Sequence, residues 1–306
     1  MAASLRELRQ RRNSVSATKK ITKAMELIAA SRIIKAQQKA TAAAPYSREL
    51  TRAVSAVATL SDVTHPLTTK VEDPKRAAML LITSDQGLAG PYSSNVLKKG
   101  DQLVEMLRDQ NLEVDAYVTG RKGISFYDFR QRPMVDTWDG FSQNPNYAVA
   151  REIAQKLLEA FMRPTEEGGV DEIHVVYTRY ASRISQVPEV LRLLPLEIVE
   201  ADEDDAPASP DELHPLYDFE PNAEEVMDAL LPLYIGSRIH YCLLQSAASE
   251  LASKQAAMKA ATDNAQQLIE NLTRQANQAR QAQITQEISE IVGGANALAD
   301  ANAESE

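Results

Sequence analysis

From Ser237 to Val292 the chain runs 56 residues without a glycine or a proline. These are the two residue types that most often punctuate a helix. At 1.5 Å per residue an unbroken helix there would be roughly 84 Å long. The front of the chain repeats the pattern: no glycine precedes Gly87, and Pro45 is the only proline before Pro66. All eleven glycines lie between Gly87 and Gly294. The chain therefore reads as a turn-bearing middle with a very long helix at each end. A compact enzyme seldom needs two such rods, whereas a shaft does.

The rods are poor in aromatics. Tyr46 is the only aromatic in residues 1–60, and none follows Tyr241. Thin, alanine-rich helix interfaces fit this better than a globular core. Leu5, Leu8 and Val15, then Ile21, Met25 and Ile28, space as one apolar stripe. Pro45 predicts a kink or break, because proline removes an i−4 hydrogen bond and crowds the preceding turn. At the other end Ile284, Ile288, Ile291, Ala295 and Leu298 step 4-3-4-3, as a coiled-coil seam does, and Ile269, Leu272, Ala276 and Ala279 do likewise. Between Ala279 and Ile284 the seam shifts phase. Asn222 is placed to cap a C-terminal helix running to about Leu298, with a bend expected at Pro232.

Strands and helices alternate in the middle. Residues 77–83, 112–119 and 172–178 read as buried strands, 92–109 and 146–161 as helices, and 134–139 as a further short strand. Alternation of this kind implies βαβ units and a mostly parallel sheet. The fold class expected is α/β with long helices: long N- and C-terminal helices around a central Rossmann-like α/β domain with a mostly parallel sheet. The boundaries are 1–60 for the N-terminal helix, 75–198 for the α/β domain, 199–221 for an acidic loop, 222–300 for the C-terminal helix and 301–306 for a tail. From Glu200 to Glu225 there are 11 acidic residues and no lysine or arginine, which reads as a solvated loop.

Charge is split along the chain. Residues 1–60 carry 12 Lys/Arg against 3 Asp/Glu, although the whole chain has a formal net charge of −10. A basic rod suits an acidic partner surface, and the overall acidity argues against nucleic acid. No apolar run approaches the ~20 residues that span a bilayer, and the N-terminus lacks the apolar stretch of a signal peptide. Nothing here inserts directly into a bilayer. Cys242 is the single cysteine, so no internal disulfide forms, and it reads as a small buried helix residue.

Catalytic signals are weak. Ser84–Gly90 (SDQGLAG) follows a strand and precedes a helix, where phosphates often bind. It lacks a Gly-Lys-Ser/Thr ending, so a structural strand-to-helix turn is the better reading and a nucleotide site the alternative. The four histidines show no metal-ligand spacing. No nucleophile motif is present. No catalytic, cofactor-binding or metal-binding residue is expected.

Several motifs in order carry a resemblance. They are residues 20–31 (KITKAMELIAAS), 84–88 (SDQGL), 185–188 (SQVP), 217–221 (YDFEP), 257–264 (AMKAATDN) and 280–295 (RQAQITQEISEIVGGA). Together they resemble the γ subunit of F-type, proton-translocating ATP synthases of the bacterial kind, over essentially the whole chain. The resemblance implies that the N- and C-terminal helices wind into an antiparallel coiled coil, and that the chain is a central rotor stalk without catalytic residues of its own. Such a subunit carries torque between the membrane c ring and the catalytic α/β hexamer and so couples proton flow to ATP synthesis. The implied partners are the α and β subunits, the ε subunit and the c ring. The implied place is the cytoplasmic face of the cell membrane, peripherally bound. Carried over by position, Lys23 and Met25 would meet the β subunit's lever, and Arg280, Gln281 and Thr285 the loops that grip the upper shaft. Tyr217 and Glu220 would touch the c ring. Lys254 stands where the family commonly has arginine; lacking the planar fork, it leaves a partner carboxylate at that interface in question. The other reading of the same rods is a coiled-coil scaffold with an α/β adaptor domain.

Overall fold

The computed structural model describes residues 5–60, 69, 71–196, 220 and 222–303. Two helices dominate: α1 (Leu5–Leu60) and α5 (Ala223–Ala303). Between them lie β1 (Arg76–Ile82), α2 (Tyr92–Asp109), β2 (Glu113–Thr119), α3 (Arg121–Phe129), β3 (Asp136–Trp138), α4 (Tyr147–Met162), β4 (Glu172–Tyr180) and β5 (Gln186–Leu194). The chain divides into two compact units. One is Met1–Ile28 with Ala257–Glu306, and the other is Ala29–Ala256.

The first unit is an antiparallel helix pair. Leu8 of α1 packs with Leu272 and Ala276 of α5, and Leu5, Val15 and Ala279 border them. Further along, the buried hydroxyls of Thr22 and Thr262 meet at 2.8 Å, and the Lys19 ammonium donates to Gln266 at 2.6 Å. Polar pairs inside a helix seam fix its register, because any slip would strand them without partners. Here the structure corrects the expected stripe. Thr22 is buried, whereas Ile21 and Ile28 face outward. The buried line keeps the seven-residue step from Leu8 through Val15 to Thr22, and Ile21 lies one position off it.

The second unit is built on a five-stranded sheet of order β3-β2-β1-β4-β5. Strands β1 to β4 run parallel, and β5 is antiparallel to β4. The central strand β1 is buried on both faces from Ala77 to Ile82, as the apolar run predicts. Helix α2 covers one face with Val96, Leu97, Leu103 and Leu107. On the other face α4 lays down Ala150, Ile153, Ala154 and Leu157, spaced as one helical stripe. The same core takes Val54 and Val57 of α1 and Met227, Leu231, Ile235 and Ile239 of α5. Asn146 caps α4 by accepting from the Val149 amide at 2.9 Å. At the start of α5 the Asn222 side chain accepts from the Glu225 amide at 2.9 Å and donates to its carboxylate at 2.7 Å. This reciprocal exchange works like a capping box.

Three expectations change here. Helix α1 runs on through Pro45. A mid-helix proline costs about 3 kcal/mol, but Leu50, Val54 and Val57 beyond it are buried, and their burial offsets that cost. Helix α5 extends to Ala303 rather than about Leu298 and is unbroken at Pro232, where a bend is compatible with a continuous helix. Two elements were not anticipated, α3 and β5. Strand β5 contains Pro188, which an edge strand tolerates because one side of its backbone needs no partner.

One buried histidine gives the unit a pH signature. His174 lies on β4, its ring 2.9 Å from Glu172, and burial holds its pKa below the usual histidine range against the pull of that carboxylate. A depressed folded pKa means the unfolded chain binds the proton more readily. Stability is therefore complete above the unfolded value near 6.5 and falls as pH drops below it. Urea unfolding at pH 7.5 and 5.5 is expected to show a loss that His174→Gln reduces.

Candidate functional site

Beyond Ala279 the helix pairing runs out. Leu5, near the start of α1, already packs in the cluster that contains Leu272 and Ala276. From Arg280 to Ala295 every residue of α5 is exposed. The predicted seam is present on the helix, but Ile284, Ile288 and Ile291 are 42%, 56% and 71% exposed. No helix covers them among the described residues. This corrects the expectation of a coiled coil continuing to Leu298, and it explains the phase shift after Ala279: no partner helix requires the register to continue. Arg280, Gln281 and Thr285 stand on this exposed stretch.

On α1, in the same unit, Lys23 pairs with Glu26 at 3.1 Å, one turn along. Its side chain is 53% exposed, so the pair contributes little to stability and leaves the ammonium accessible. Met25 is half-buried. Lys20, Lys23, Ile21 and Ile28 give this stretch an exposed surface that is both basic and apolar.

Within the second unit, the Ser84–Gly90 turn is tied down by its own side chains. The Asp85 carboxylate accepts from the Ser142 amide at 2.9 Å and the Arg121 amide at 3.2 Å. The Asp85 amide donates to the Ser142 hydroxyl at 3.0 Å, and the hydroxyls of Ser84 and Ser93 meet at 2.7 Å. These bonds tie the turn to the loop before α4 and to the start of α3. Gln86 accepts from the Lys254 ammonium at 3.2 Å.

Lys254 is thus turned into the chain rather than outward. It sits 3.8 Å from Glu250, and their side chains are only 7% and 1% exposed. Burial pushes the Glu250 carboxyl up and the Lys254 ammonium down, so the desolvated site opposes charge on both. Gln143 donates to Glu250 at 2.7 Å and accepts from Arg32 at 2.9 Å. The carboxylate that Lys254 meets in this chain belongs to its own helix. The i,i+4 spacing of Glu250 and Lys254 was visible in the sequence; the parts played by Gln143 and Arg32 were not, because they come from distant segments.

Glu220 is exposed just before α5, and Tyr217 lies outside the described residues. Cys242 is buried, as expected, and burial pushes its thiol up to about 12. Among the described residues no group of histidine, cysteine or acidic side chains is arranged to hold a metal ion, and no helix is long and apolar enough to cross a membrane.

An antiparallel helix pair, a five-stranded α/β domain and a bare helix end are the parts of a stalk subunit. Comparison with known proteins agrees. The family model described as ATP synthase matches residues 4–298. The ATP synthase gamma chain of a Nocardioides species is 61% identical over 306 residues, the whole of both chains. That of Cutibacterium acnes is 59% identical and covers 98% of each. Among solved structures, a chain from the central stalk and c ring of the Tetrahymena thermophila mitochondrial ATP synthase superposes with a TM-score of 0.55. It is 26% identical, covering 79% of this chain and 99% of that one. A chain from the Euglena gracilis mitochondrial ATP synthase gives 0.63 at 17% identity, covering 96% and 94%, and supports the fold. The chain belongs to the ATP synthase gamma chain family. Its role is that of the central rotor stalk of the ATP synthase.

Proposed function

We propose that this chain carries torque while making no catalytic contribution of its own, and that the exposed end of α5 is where it works. The observation that carries this reading is the row Ile284, Ile288 and Ile291, an apolar seam that the chain itself leaves uncovered. A bare seam of this size calls for an enclosing partner. In the assembled enzyme that partner is the ring of α and β subunits, with Arg280, Gln281 and Thr285 facing the loops that grip the shaft. Lys23 and Met25 face the β lever, where the surplus of positive charge on residues 1–60 attracts an acidic surface. The α/β domain meets the ε subunit and the c ring, with Tyr217 and Glu220 at the ring. The chain is held at the cytoplasmic face of the cell membrane by these partners.

A shaft that turns must not bind strongly at any one angle. Polar side chains such as Gln281, Gln283 and Thr285 interrupt the isoleucine row and keep each contact weak, and charge supplies long-range guidance without a deep well. Met25→Lys tests the assignment. The added cation beside an acidic lever deepens one orientation and raises the barrier to leaving it. Inverted membrane vesicles are expected to show ATP-driven proton pumping reduced several-fold, with the subunit still assembled. Unchanged coupling would remove Met25 from the contact.

A further inference from the structure

Torque has to pass between the α/β domain and the helices it carries. Apolar packing joins them over a wide area, but the hydrophobic effect is non-directional. Directional bonds are concentrated at one place. On α5, Gln245 accepts from the Tyr180 amide at 3.0 Å, and Ser249 donates to the Thr178 carbonyl at 3.1 Å. One turn further, Glu250 and Lys254 reach the loops beyond the strands. At this point Gln143, in the loop between β3 and α4, bonds to both helices through opposite ends of one amide. Its NH2 donates to Glu250 of α5 at 2.7 Å, and its carbonyl accepts from Arg32 of α1 at 2.9 Å. The neighbouring Asn144 accepts from Lys39 of α1.

The chemistry fixes the orientation of that amide. Arginine only donates, so the end of the amide that faces Arg32 must be its carbonyl, which leaves the NH2 to donate to Glu250. The bond from Arg32 involves a charged group and is stronger than a neutral one. The loop is itself held, because the Ser142 amide is bonded to Asp85 at 2.9 Å. Gln143 is therefore a short, anchored strut between a fixed loop and the two helices.

We propose that Gln143 is a positioning residue for coupling: through Glu250 and Arg32 it keys the helix pair to the α/β domain so that the two turn together. The proposal rests on the rotor reading. Gln143→Met keeps the length of the side chain and removes both bonds. In inverted vesicles carrying the assembled complex, it is expected to leave assembly and ATP hydrolysis near the wild-type level. Protons pumped per ATP hydrolysed fall roughly tenfold, the scale of one lost bond to a charged group. Gln143→Glu faces Glu250 with a second acceptor and is also expected to uncouple. Adding Glu250→Gln to it reverses the exchange, since the new amide donates to the new carboxylate and Arg32 keeps an acceptor, and coupling is expected to return. Wild-type coupling in Gln143→Met overturns the proposal, as does a swapped pair that stays uncoupled. Should the single variants not assemble, the swapped pair decides alone: assembled and coupled supports the strut, and any other result overturns it. Failure of the rotor reading would look different, because Met25→Lys would then leave pumping untouched as well.

Discussion

Glu250→Leu is expected to destabilise the chain by about 3–5 kcal/mol, the cost of leaving a buried charge without its partner. Lys254 would then stand in a site where its side chain is 7% exposed, with only the Gln86 carbonyl at 3.2 Å to meet its ammonium. Arg32 already disfavours the charged lysine, as burial does. Losing Glu250 removes the one carboxylate that favours it. The pH dependence follows in sign. A lysine whose folded pKa is depressed gives back stability as pH rises toward its unfolded value near 10.5 and loses it as pH falls. Urea unfolding is therefore expected to show a larger deficit for Glu250→Leu at pH 7 than at pH 9.5. Adding Lys254→Met should recover most of the loss, because an apolar pair of similar volume needs no compensation. A double variant as unstable as the single one would mean that shape, and not charge, governs the site.

The second large effect is expected at Gly120, which follows β2. Its φ is +90°, and a Cβ there would stand 2.3 Å from the Thr83 carbonyl oxygen and 2.7 Å from the Thr83 hydroxyl. Neither neighbour is free to move. The Thr83 hydroxyl donates to the Thr119 carbonyl at 2.7 Å and accepts from the Gly123 amide at 2.8 Å. The Gly120 amide is itself bonded to the Trp138 carbonyl at 2.8 Å. Gly120→Ala combines a left-handed backbone with overpacking, together about 3 kcal/mol or more. The damage would spread to function, because Arg121, the next residue, supplies one of the amides that hold Asp85. Thermal unfolding of the purified chain and the yield of assembled complex measure the two consequences separately.

Much of this architecture was legible in the sequence because the physics was local. Strand β1 lies at the centre of the sheet and must be apolar on both faces, so residues 77–82 announce themselves. Helices α2 and α4 each carry a stripe at helical spacing, and Asn222 marks the start of α5 by its capping chemistry. What stayed hidden depended on neighbours distant in sequence. Strand β5 is an edge strand, half-buried along most of its length and interrupted by Pro188, so neither apolar alternation nor propensity marks it. Helix α3 is nine residues long and opens directly after a glycine. Ile21 looked like core because it is apolar, yet Thr22 takes the inner position by pairing with Thr262. The phase of a heptad is set by the helix across from it, and a single sequence does not show that helix.

The site divides in the same way. Arg280, Gln281 and Thr285 were reached through resemblance, and their exposure on α5 is compatible with contact to a partner. Lys254 illustrates the opposite case. Position alone points outward to an interface, and the fold turns it inward, to a carboxylate four residues earlier and an amide 168 residues away.

The uncovered isoleucines of α5 also bear on supply. A chain made in excess of its hexamer carries Ile284, Ile288 and Ile291 into water, where they invite self-association and capture by the machinery that clears unassembled proteins. Free rotor is therefore expected to be short-lived. On the proposed function, the cellular stock of this chain is then expected to follow the number of vacant rings ready to receive it more than its own synthesis.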